Sequence, residues 1–218
     1  MSRRPLIQKA IYVNPLIFNN VMVDIETFGR RPNGLVVSIG AVCFSSAPAD
    51  FEAGRVFSGK PEHEFHAVLS LDVAYRENRF KQEPATMQWW AEQQPAAYAK
   101  LLELMRSSTL DVRQLMYLFM HWLQPFCQQG YNVIGNSPSF DLVLIENACQ
   151  QAGVVFEVPY RAETDYRTIT DLVWGDAKPR AGANGAHDAL FDAKFQAETY
   201  AQALHIVRGW RQAAATLD

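Results

Sequence analysis

The sequence predicts an α/β fold, a single domain in which a mixed sheet is flanked by helices. Residues 21–24 and 35–44 are rich in apolar and β-branched side chains and are joined by a short polar turn, which is typical of adjacent antiparallel strands. Helical patterns follow and alternate with one more short strand, residues 131–135. This order favours a mixed sheet covered by helices.

The remaining elements can be placed in chain order. Residues 1–18 form an N-terminal extension, and its segment 11–18 is predicted to be either an added edge strand or a dimer arm. A weaker third strand is expected at residues 64–71. Helices are predicted over residues 84–92, 95–106, 111–127, 140–152 and 188–208. The signals are prolines at the first helical position, a glycine just after a helix, and apolar residues spaced three or four apart. Residues 209–218 are left as a C-terminal tail.

Composition and charge restrict the class of protein. The formal net charge of -3 and the pI of about 6.0 argue against a protein that coats nucleic acid with a basic surface, whereas a site holding several carboxylates fits them. Three widely spaced cysteines make a disulfide framework or a zinc site improbable and favour a reducing, cytoplasmic location. No uninterrupted apolar run predicts a signal peptide or a membrane helix, so no membrane partner is expected.

Asp24 and Glu26 lie two residues apart at the end of the first strand. Because strand side chains alternate between faces, both carboxylates point to one side while Ile25 points into the core. Two buried neighbouring carboxylates repel each other unless cations lie between them, and hard oxygen ligands suit Mg²⁺ or Mn²⁺. An Asp-x-Glu taken by itself is more often a solvated turn.

Asp141 follows the strand 131–134. Ser137 is predicted to cap the next helix and Pro138 to occupy its first position, which places Asp141 in or near the first turn. Sites in α/β proteins collect at such carboxyl ends of strands. The alternative is an aspartate whose only role is a favourable interaction of its negative charge with the helix dipole.

His187 and Asp192 stand at the start of the closing helix, after a glycine-containing approach, and Ala189 and Ala193 let the helix pack close to another backbone. Five residues turn a helix through about 140°. Both side chains therefore serve one site only if His187 lies on the loop. The alternative for His187 is an ordinary surface histidine beside a helix N-terminus.

Three segments, Asp24-Ile25-Glu26-Thr27, residues 136–141 and residues 187–192, resemble the three motifs of the DEDDh 3′–5′ exonucleases. That group includes the proofreading subunit of bacterial polymerase, ribonuclease T and oligoribonuclease, and His-x-Ala-x-x-Asp is its most specific motif. The resemblance runs from about Val21 to Gln202. It implies a ribonuclease H-like fold with a mixed five-stranded sheet, an exonuclease domain over residues 19–208, and a homodimer.

Finer features resemble the phage and prophage exodeoxyribonuclease VIII-like proteins, which are related to a mycobacterial-type 3′–5′ exoribonuclease domain. They are the segment 135–141, the pair Trp89-Trp90 after Thr86, and the segment 165–168. This branch slightly favours DNA over RNA, a choice that depends on how the pocket treats a 2′-hydroxyl.

The resemblance also implies roles for the matching residues. Asp24 would bridge two Mg²⁺ or Mn²⁺ ions, with Glu26 and Asp192 completing one metal site and Asp141 the other, and His187 would take the proton from the attacking water. Possible substrate contacts are Thr27, Phe28, Trp90 and Phe140, although Phe28 is equally suited to the core, one tryptophan of the pair is expected in the core, and Phe140 suits packing as well. Arg167 either contacts phosphate or pairs with Asp165.

The resulting function is a 3′–5′ exonuclease that hydrolyses single-stranded nucleic acid from its 3′ end to nucleoside 5′-monophosphates. The alternative enzyme activities are an exoribonuclease and a phosphodiesterase of the same fold that acts on short oligonucleotides. An inactive nucleic-acid or partner-binding module is disfavoured, because all four carboxylates and the histidine are present. A dinucleotide-binding domain is excluded, because no G-x-G-x-x-G follows a strand.

Overall fold

A computed structural model of the chain describes residues 19–182 and 187–215. Within these ranges five strands and eight α-helices follow one another in the order β1 (Asn20–Thr27), β2 (Val36–Phe44), α1 (Pro48–Glu52), β3 (Glu64–Val68), α2 (Leu71–Arg76), α3 (Pro84–Gln93), α4 (Pro95–Ser107), α5 (Val112–Gln128), β4 (Asn132–Gly135), α6 (Asp141–Ala152), β5 (Glu163–Asp165), α7 (Tyr166–Trp174) and α8 (Ala189–Ala215).

The five strands form one mixed sheet in the order β3-β2-β1-β4-β5. The strand β1 pairs antiparallel with β2 and parallel with β4, and β5 pairs parallel with β4. The predicted antiparallel pair, the third strand and the strand before Asp141 are confirmed. The short elements α1, α2, β5 and α7 were not predicted, because three to nine residues carry too little periodicity.

Every residue of β1 and β2 is buried, because helices cover both faces of the sheet. Val21, Val23 and Ile25 belong to the core beneath α3 to α6, whereas Met22 belongs to the core beneath α7 and α8. The alternation of β1 therefore places Asp24 and Glu26 on the α8 face, as the sequence predicts.

The helix α8 packs on the sheet through small side chains. Ala189, Ala193, Ala197 and Ala201 recur every four residues and are almost fully buried, so the helix axis can approach β1 and β2 closely. The helix also continues past the predicted end at residue 208, through Gly209 to Ala215. The predicted tail is thus helical as far as Ala215.

Two further predictions concern α6 and the first residues. The prediction that Ser137 caps α6 with Pro138 at its first position is wrong, because residues 137–140 form a turn and the helix begins at Asp141. The predicted edge strand or dimer arm at residues 11–18 lies outside the described residues. Within the described ranges no helix is long and apolar enough to cross a membrane.

Candidate active site

Asp24 and Glu26 place two buried carboxylates side by side on the α8 face of β1. Burial raises the pKa of Asp24 well above its ordinary value, and repulsion from Glu26, Asp141 and Asp192 raises it further. The pKa of Glu26 is also raised well above its ordinary value, first by burial and then by repulsion from Asp192 and other acids. The pair is therefore unfavourable as two anions unless positive charge compensates it.

Asp141 reaches the same centre from the neighbouring strand. It is the first residue of α6, and its Oδ2 accepts the backbone N–H of Ser137 at 2.8 Å, so the aspartate closes the turn that precedes the helix. Gly135, the β4 residue paired with Val23, leaves space for this carboxylate, since a Cβ there would lie 3.0 Å from Asp141 Oδ2. Burial raises the pKa of Asp141 to about 7, although the hydrogen bond from the Ser137 backbone N–H and the positive charge of Arg167 oppose the shift.

His187 and Asp192 approach from the start of α8. His187 lies on the turn before the helix with a φ of 64°, in the left-handed region, which confirms that it belongs to the loop. Its backbone N–H donates to Asp192 Oδ2 at 2.7 Å. Asp188 caps the helix, because its Oδ1 accepts the Phe191 N–H at 3.1 Å.

Gly40 makes this approach possible. It lies on β2 opposite Asp24, and a Cβ there would fall 2.1 Å from the carbonyl carbon of Ala189. Only a residue without a side chain lets the first turn of α8 touch the sheet at this point. The sheet thus brings His187 and Asp192 over the two carboxylates of β1.

All five predicted motif residues line one cavity of about 730 Å³, together with residues of the segment 178–181. Ligand atoms of Glu26, His187 and Asp192 lie within 4.8 Å of one another. A larger cavity of about 930 Å³ lies between β3 and α5, but its lining is mainly apolar and contains none of the four carboxylates. The chemistry of the lining, rather than the volume, identifies the candidate site.

The hydrogen bonds of the carboxylates fit divalent cations. One oxygen each of Asp24, Asp141 and Asp192 accepts a hydrogen bond from the protein at 2.7–2.8 Å, which leaves the other oxygen of each for a ligand. The Oε1 atom of Glu26 is buried and accepts no hydrogen bond. Mg²⁺ and Mn²⁺ prefer hard oxygen ligands, which the four carboxylates supply. A buried oxygen without a hydrogen bond, such as Glu26 Oε1, is also what a bound cation would satisfy.

Gln196 belongs to the site, and the sequence analysis missed it. Its side-chain amide donates to Asp24 Oδ1 at 2.8 Å, and this hydrogen bond holds one oxygen of the aspartate in place. Gln196 lies four residues after Asp192 and so shares its face of α8, a spacing that points to the residue once Asp192 is assigned.

The predicted substrate contacts divide into two groups. Thr27 and Phe140 line a second cavity of about 510 Å³ that adjoins the first. Phe28 is only 2% exposed and packs edge-on against Tyr98 at 6.2 Å, which places it in the core, the alternative that the sequence left open for it.

Both tryptophans of the pair line the second cavity, but their exposure differs. Trp90, predicted to contact substrate, is 2% exposed, stacks on Tyr98 and donates its Nε1–H to the Thr27 carbonyl oxygen at 3.0 Å. Trp89 is 41% exposed, lines the second cavity and meets the ring of His187 edge-on at 5.2 Å. Trp90 thus fixes the backbone after β1 at the wall of the cavity, and its contact with substrate stays a prediction, while Trp89 presents the more accessible ring.

Two comparisons with known proteins show the family of the chain and its fold. The model of the family described as the 3′–5′ exoribonuclease Rv2179c-like domain matches residues 19–204. Among solved structures, Pop2p of S. pombe in its Mg²⁺- and Mn²⁺-bound form is similar with a TM-score of 0.53 and 11% identity, over 88% of this chain and 83% of that chain. This likeness confirms the ribonuclease H-like fold, with its mixed five-stranded sheet and flanking helices. A comparison with curated proteins gave no match.

Proposed function

The chain belongs to the Rv2179c-like 3′–5′ exoribonuclease domain family, within the DEDD exonuclease superfamily, and from this premise we propose its activity. We propose that it is a metal-dependent 3′–5′ exonuclease that hydrolyses single-stranded nucleic acid to nucleoside 5′-monophosphates. The observation that carries this function is the convergence of Asp24, Glu26, Asp141, Asp192 and His187 on one cavity.

The burial of these carboxylates is the main physical support. Four acids that share one cavity, three of them nearly inaccessible, destabilise one another, and burial with mutual repulsion raises the pKa of Asp24. A protein retains such a cluster when cations neutralise it in use. The adjoining cavities offer room for the nucleotides on either side of a phosphodiester bond.

The residues divide into two metal sites in this mechanism. Asp24 would contact both ions, Glu26 and Asp192 would complete one site, and Asp141 would serve the other. When bound, two Mg²⁺ or Mn²⁺ ions supply an activated water and stabilisation for the leaving 3′ oxygen. Gln196 holds Asp24 through Oδ1, and the His187 N–H holds Asp192 through Oδ2, so the free oxygens keep fixed positions.

His187 would take the proton from the attacking water, a task that suits an imidazole at neutral pH. The rings of Trp89 and Trp90 meet the imidazole edge-on at 5.2 and 5.6 Å and restrict its orientation. The closeness of His187 to Glu26 and Asp192 allows a second role as a metal ligand. The variant His187→Ala separates the two roles, because only a ligand is needed for metal affinity.

The two lines of support differ on the sugar. The family description names exoribonuclease activity, whereas the exonuclease VIII-like features favour DNA. The proposed substrate is a single strand with a free 3′ end, and RNA is the candidate that the family match favours. Thr27 and Phe140 line the cavity proposed for the terminal nucleoside, and Trp89 offers it an accessible ring.

The first experiment uses matched single-stranded DNA and RNA oligonucleotides labelled at the 5′ end, with Mg²⁺, Mn²⁺ or EDTA. A descending ladder that requires metal is expected, and the faster ladder identifies the sugar. Oligonucleotides with a blocked 3′ end are expected to remain intact, which establishes the polarity. The rates for a series of oligonucleotides from dinucleotides upward separate an exonuclease that degrades long strands from a phosphodiesterase that acts only on short oligonucleotides.

The matched control is Asp24→Asn, which keeps the size and hydrogen-bonding reach of the side chain and removes its charge. Wild-type protein that binds Mn²⁺ but shortens neither strand would contradict the exonuclease and favour an inactive binding module. Activity retained by Asp24→Asn would contradict the assignment of the site.

The resemblance to the DEDDh exonucleases also implies a homodimer, which we propose for this chain. Light scattering after gel filtration measures the mass in solution and tests it.

A further inference from the structure

Two cavities meet at the proposed catalytic centre. The catalytic cavity contains all four carboxylates, and the second cavity is lined by Thr27, Thr86 and the tryptophan pair. Both are lined by the same five residues, Ile25, Glu26, Phe140, Arg167 and His187. Glu26 and His187 belong to the proposed machinery, and Arg167 is the one shared residue that always carries positive charge.

Arg167 makes no salt bridge within 4.0 Å among residues 19–182 and 187–215, although its positive charge lowers the pKa of the nearby Asp141. It lies in the first turn of α7, and its Nε donates to Asn136 Oδ1 at 3.1 Å, which orients the guanidinium from the end of β4. Asp165, its predicted partner, instead accepts the Thr168 N–H at 2.9 Å as the cap of α7. The two Nη groups of Arg167 make no hydrogen bond in the described part of the chain and remain available to a ligand.

We propose that Arg167 binds the scissile phosphate of the 3′-terminal nucleotide, an inference that rests on the proposed exonuclease function. The bond that is cut must lie beside Glu26 and His187, which are shared by both cavities. The terminal nucleoside then lies in the second cavity and the preceding nucleotide in the catalytic cavity, so the phosphate between them lies at the boundary. A guanidinium that is fixed through Nε presents its Nη groups to a phosphate in a matching geometry.

The same contact extends to the product. Hydrolysis that releases a nucleoside 5′-monophosphate leaves the scissile phosphate on the terminal nucleoside, within reach of Arg167. The product therefore binds through its phosphate as well as its base, whereas a nucleoside without phosphate lacks the contact with Arg167. This difference is measurable by equilibrium binding, without turnover.

The experiment compares Arg167→Gln and Arg167→Lys with Arg161→Gln. Arg161 is a matched control because it is an exposed arginine that bonds the Tyr160 hydroxyl and lines neither cavity. Titration calorimetry with Mg²⁺ present measures binding of adenosine 5′-monophosphate, its deoxy form and adenosine. We expect Arg167→Gln to weaken binding of both monophosphates by about tenfold or more, as for loss of a hydrogen bond to a charged group, and to leave adenosine unchanged. The affinity of Arg167→Lys for the monophosphates is expected to lie between those of Arg167→Gln and the wild type, and that of Arg161→Gln to match the wild type.

Steady-state kinetics on an oligonucleotide supply a second measurement. Arg167→Gln is expected to reduce kcat/KM by about tenfold or more, because the contact is made to the reacting phosphate. Wild-type monophosphate binding in Arg167→Gln, or an equal loss of monophosphate and adenosine in a folded variant, would overturn the assignment. Failure of the wild type to shorten any oligonucleotide would overturn the exonuclease function instead, while the calorimetric comparison still decides whether Arg167 recognises a nucleotide phosphate.

Discussion

Replacing Gly40 by alanine adds one methyl group at the point where α8 meets the sheet. The new Cβ would lie 2.1 Å from the Ala189 carbonyl carbon and 2.2 Å from the Leu190 nitrogen. Both are backbone atoms, so no side-chain rotation relieves the overlap. Either the first turn of α8 or the centre of β2 must move, and α8 is the one that carries His187 and Asp192.

The size of the movement sets the expected effect. Real Cβ atoms are essentially never found closer than 3.0 Å to such neighbours, so the helix start must shift by about 1 Å, and a misplacement of that size lowers turnover by about 100-fold. Overpacking of a buried position also lowers the free energy of unfolding by about 1–3 kcal/mol. The Gly40→Ala protein is thus expected to fold and bind nucleic acid but to hydrolyse it slowly.

Two other glycines provide matched controls. A Cβ at Gly209, further along α8, meets no atom within 4 Å, so Gly209→Ala should keep full activity and gain up to about 1 kcal/mol of stability from helix propensity. A Cβ at Gly135 would lie 3.0 Å from the Asp141 carboxylate, which is the end of a side chain and can move. The activity of Gly135→Ala should therefore lie between those of Gly40→Ala and Gly209→Ala.

The assays are kcat/KM on a 5′-labelled oligonucleotide, calorimetric Mn²⁺ binding and thermal unfolding. A Gly40→Ala protein that keeps wild-type kcat/KM and Tm would refute the idea that this close contact positions the histidine and Asp192. Equal losses in Gly40→Ala and Gly209→Ala would also refute it, because they would trace the effect to general destabilisation.

The remaining predictions concern the charged centre. Asp24→Asn should abolish hydrolysis in Mg²⁺ and raise the Tm of the metal-free protein, because it removes a buried anion beside three others; an unchanged Tm would mean that repulsion does not destabilise the centre. Burial raises the pKa of Asp141 from 3.8 to about 7, so the stability that its protonated form contributes is complete below about pH 4 and lost as the pH rises through about 7. The Tm of the metal-free protein should accordingly fall between about pH 4 and pH 7 and fall less in Asp141→Asn, which a pH series of melting curves checks. His187→Ala should lower kcat by about 100-fold or more with little change in Mn²⁺ affinity, and an equal loss of affinity would identify the histidine as a ligand. Gln196→Leu should weaken Mn²⁺ binding measured by calorimetry, since Asp24 loses its hydrogen bond, and unchanged affinity would show that Asp24 needs no such support.

Much of the fold and the candidate site follows from local patterns in the sequence. Alternation along residues 21–26 puts Asp24 and Glu26 on one face, and the structure shows both beside α8. The helical angle between residues 187 and 192 requires His187 to lie on the loop, where the structure places it. These inferences succeed because each depends on a backbone period within a few residues.

Contacts between distant segments explain the errors. Two adjacent tryptophans on a helix carry no signal that says which one meets the core, and the Thr27 carbonyl, 63 residues away, is what fixes Trp90 inside. Phe28 follows the first motif directly, yet it is buried and its ring packs against Tyr98, a residue of α4. Ser137 suits a helix cap by residue type, but its backbone N–H donates to the Asp141 carboxylate and the helix begins only at Asp141.

The sequence by itself determined the α/β class and the order of the main strands and helices, because residue type and period are local properties. Its resemblance to the DEDDh exonucleases indicated the five residues proposed for catalysis. The tertiary structure decided which tryptophan ring is the more exposed, that Gln196 holds Asp24, that Gly40 admits α8, and that Arg167 lies between two cavities. Each of these depends on atoms that are far apart in the chain and meet only when the sheet and helices pack.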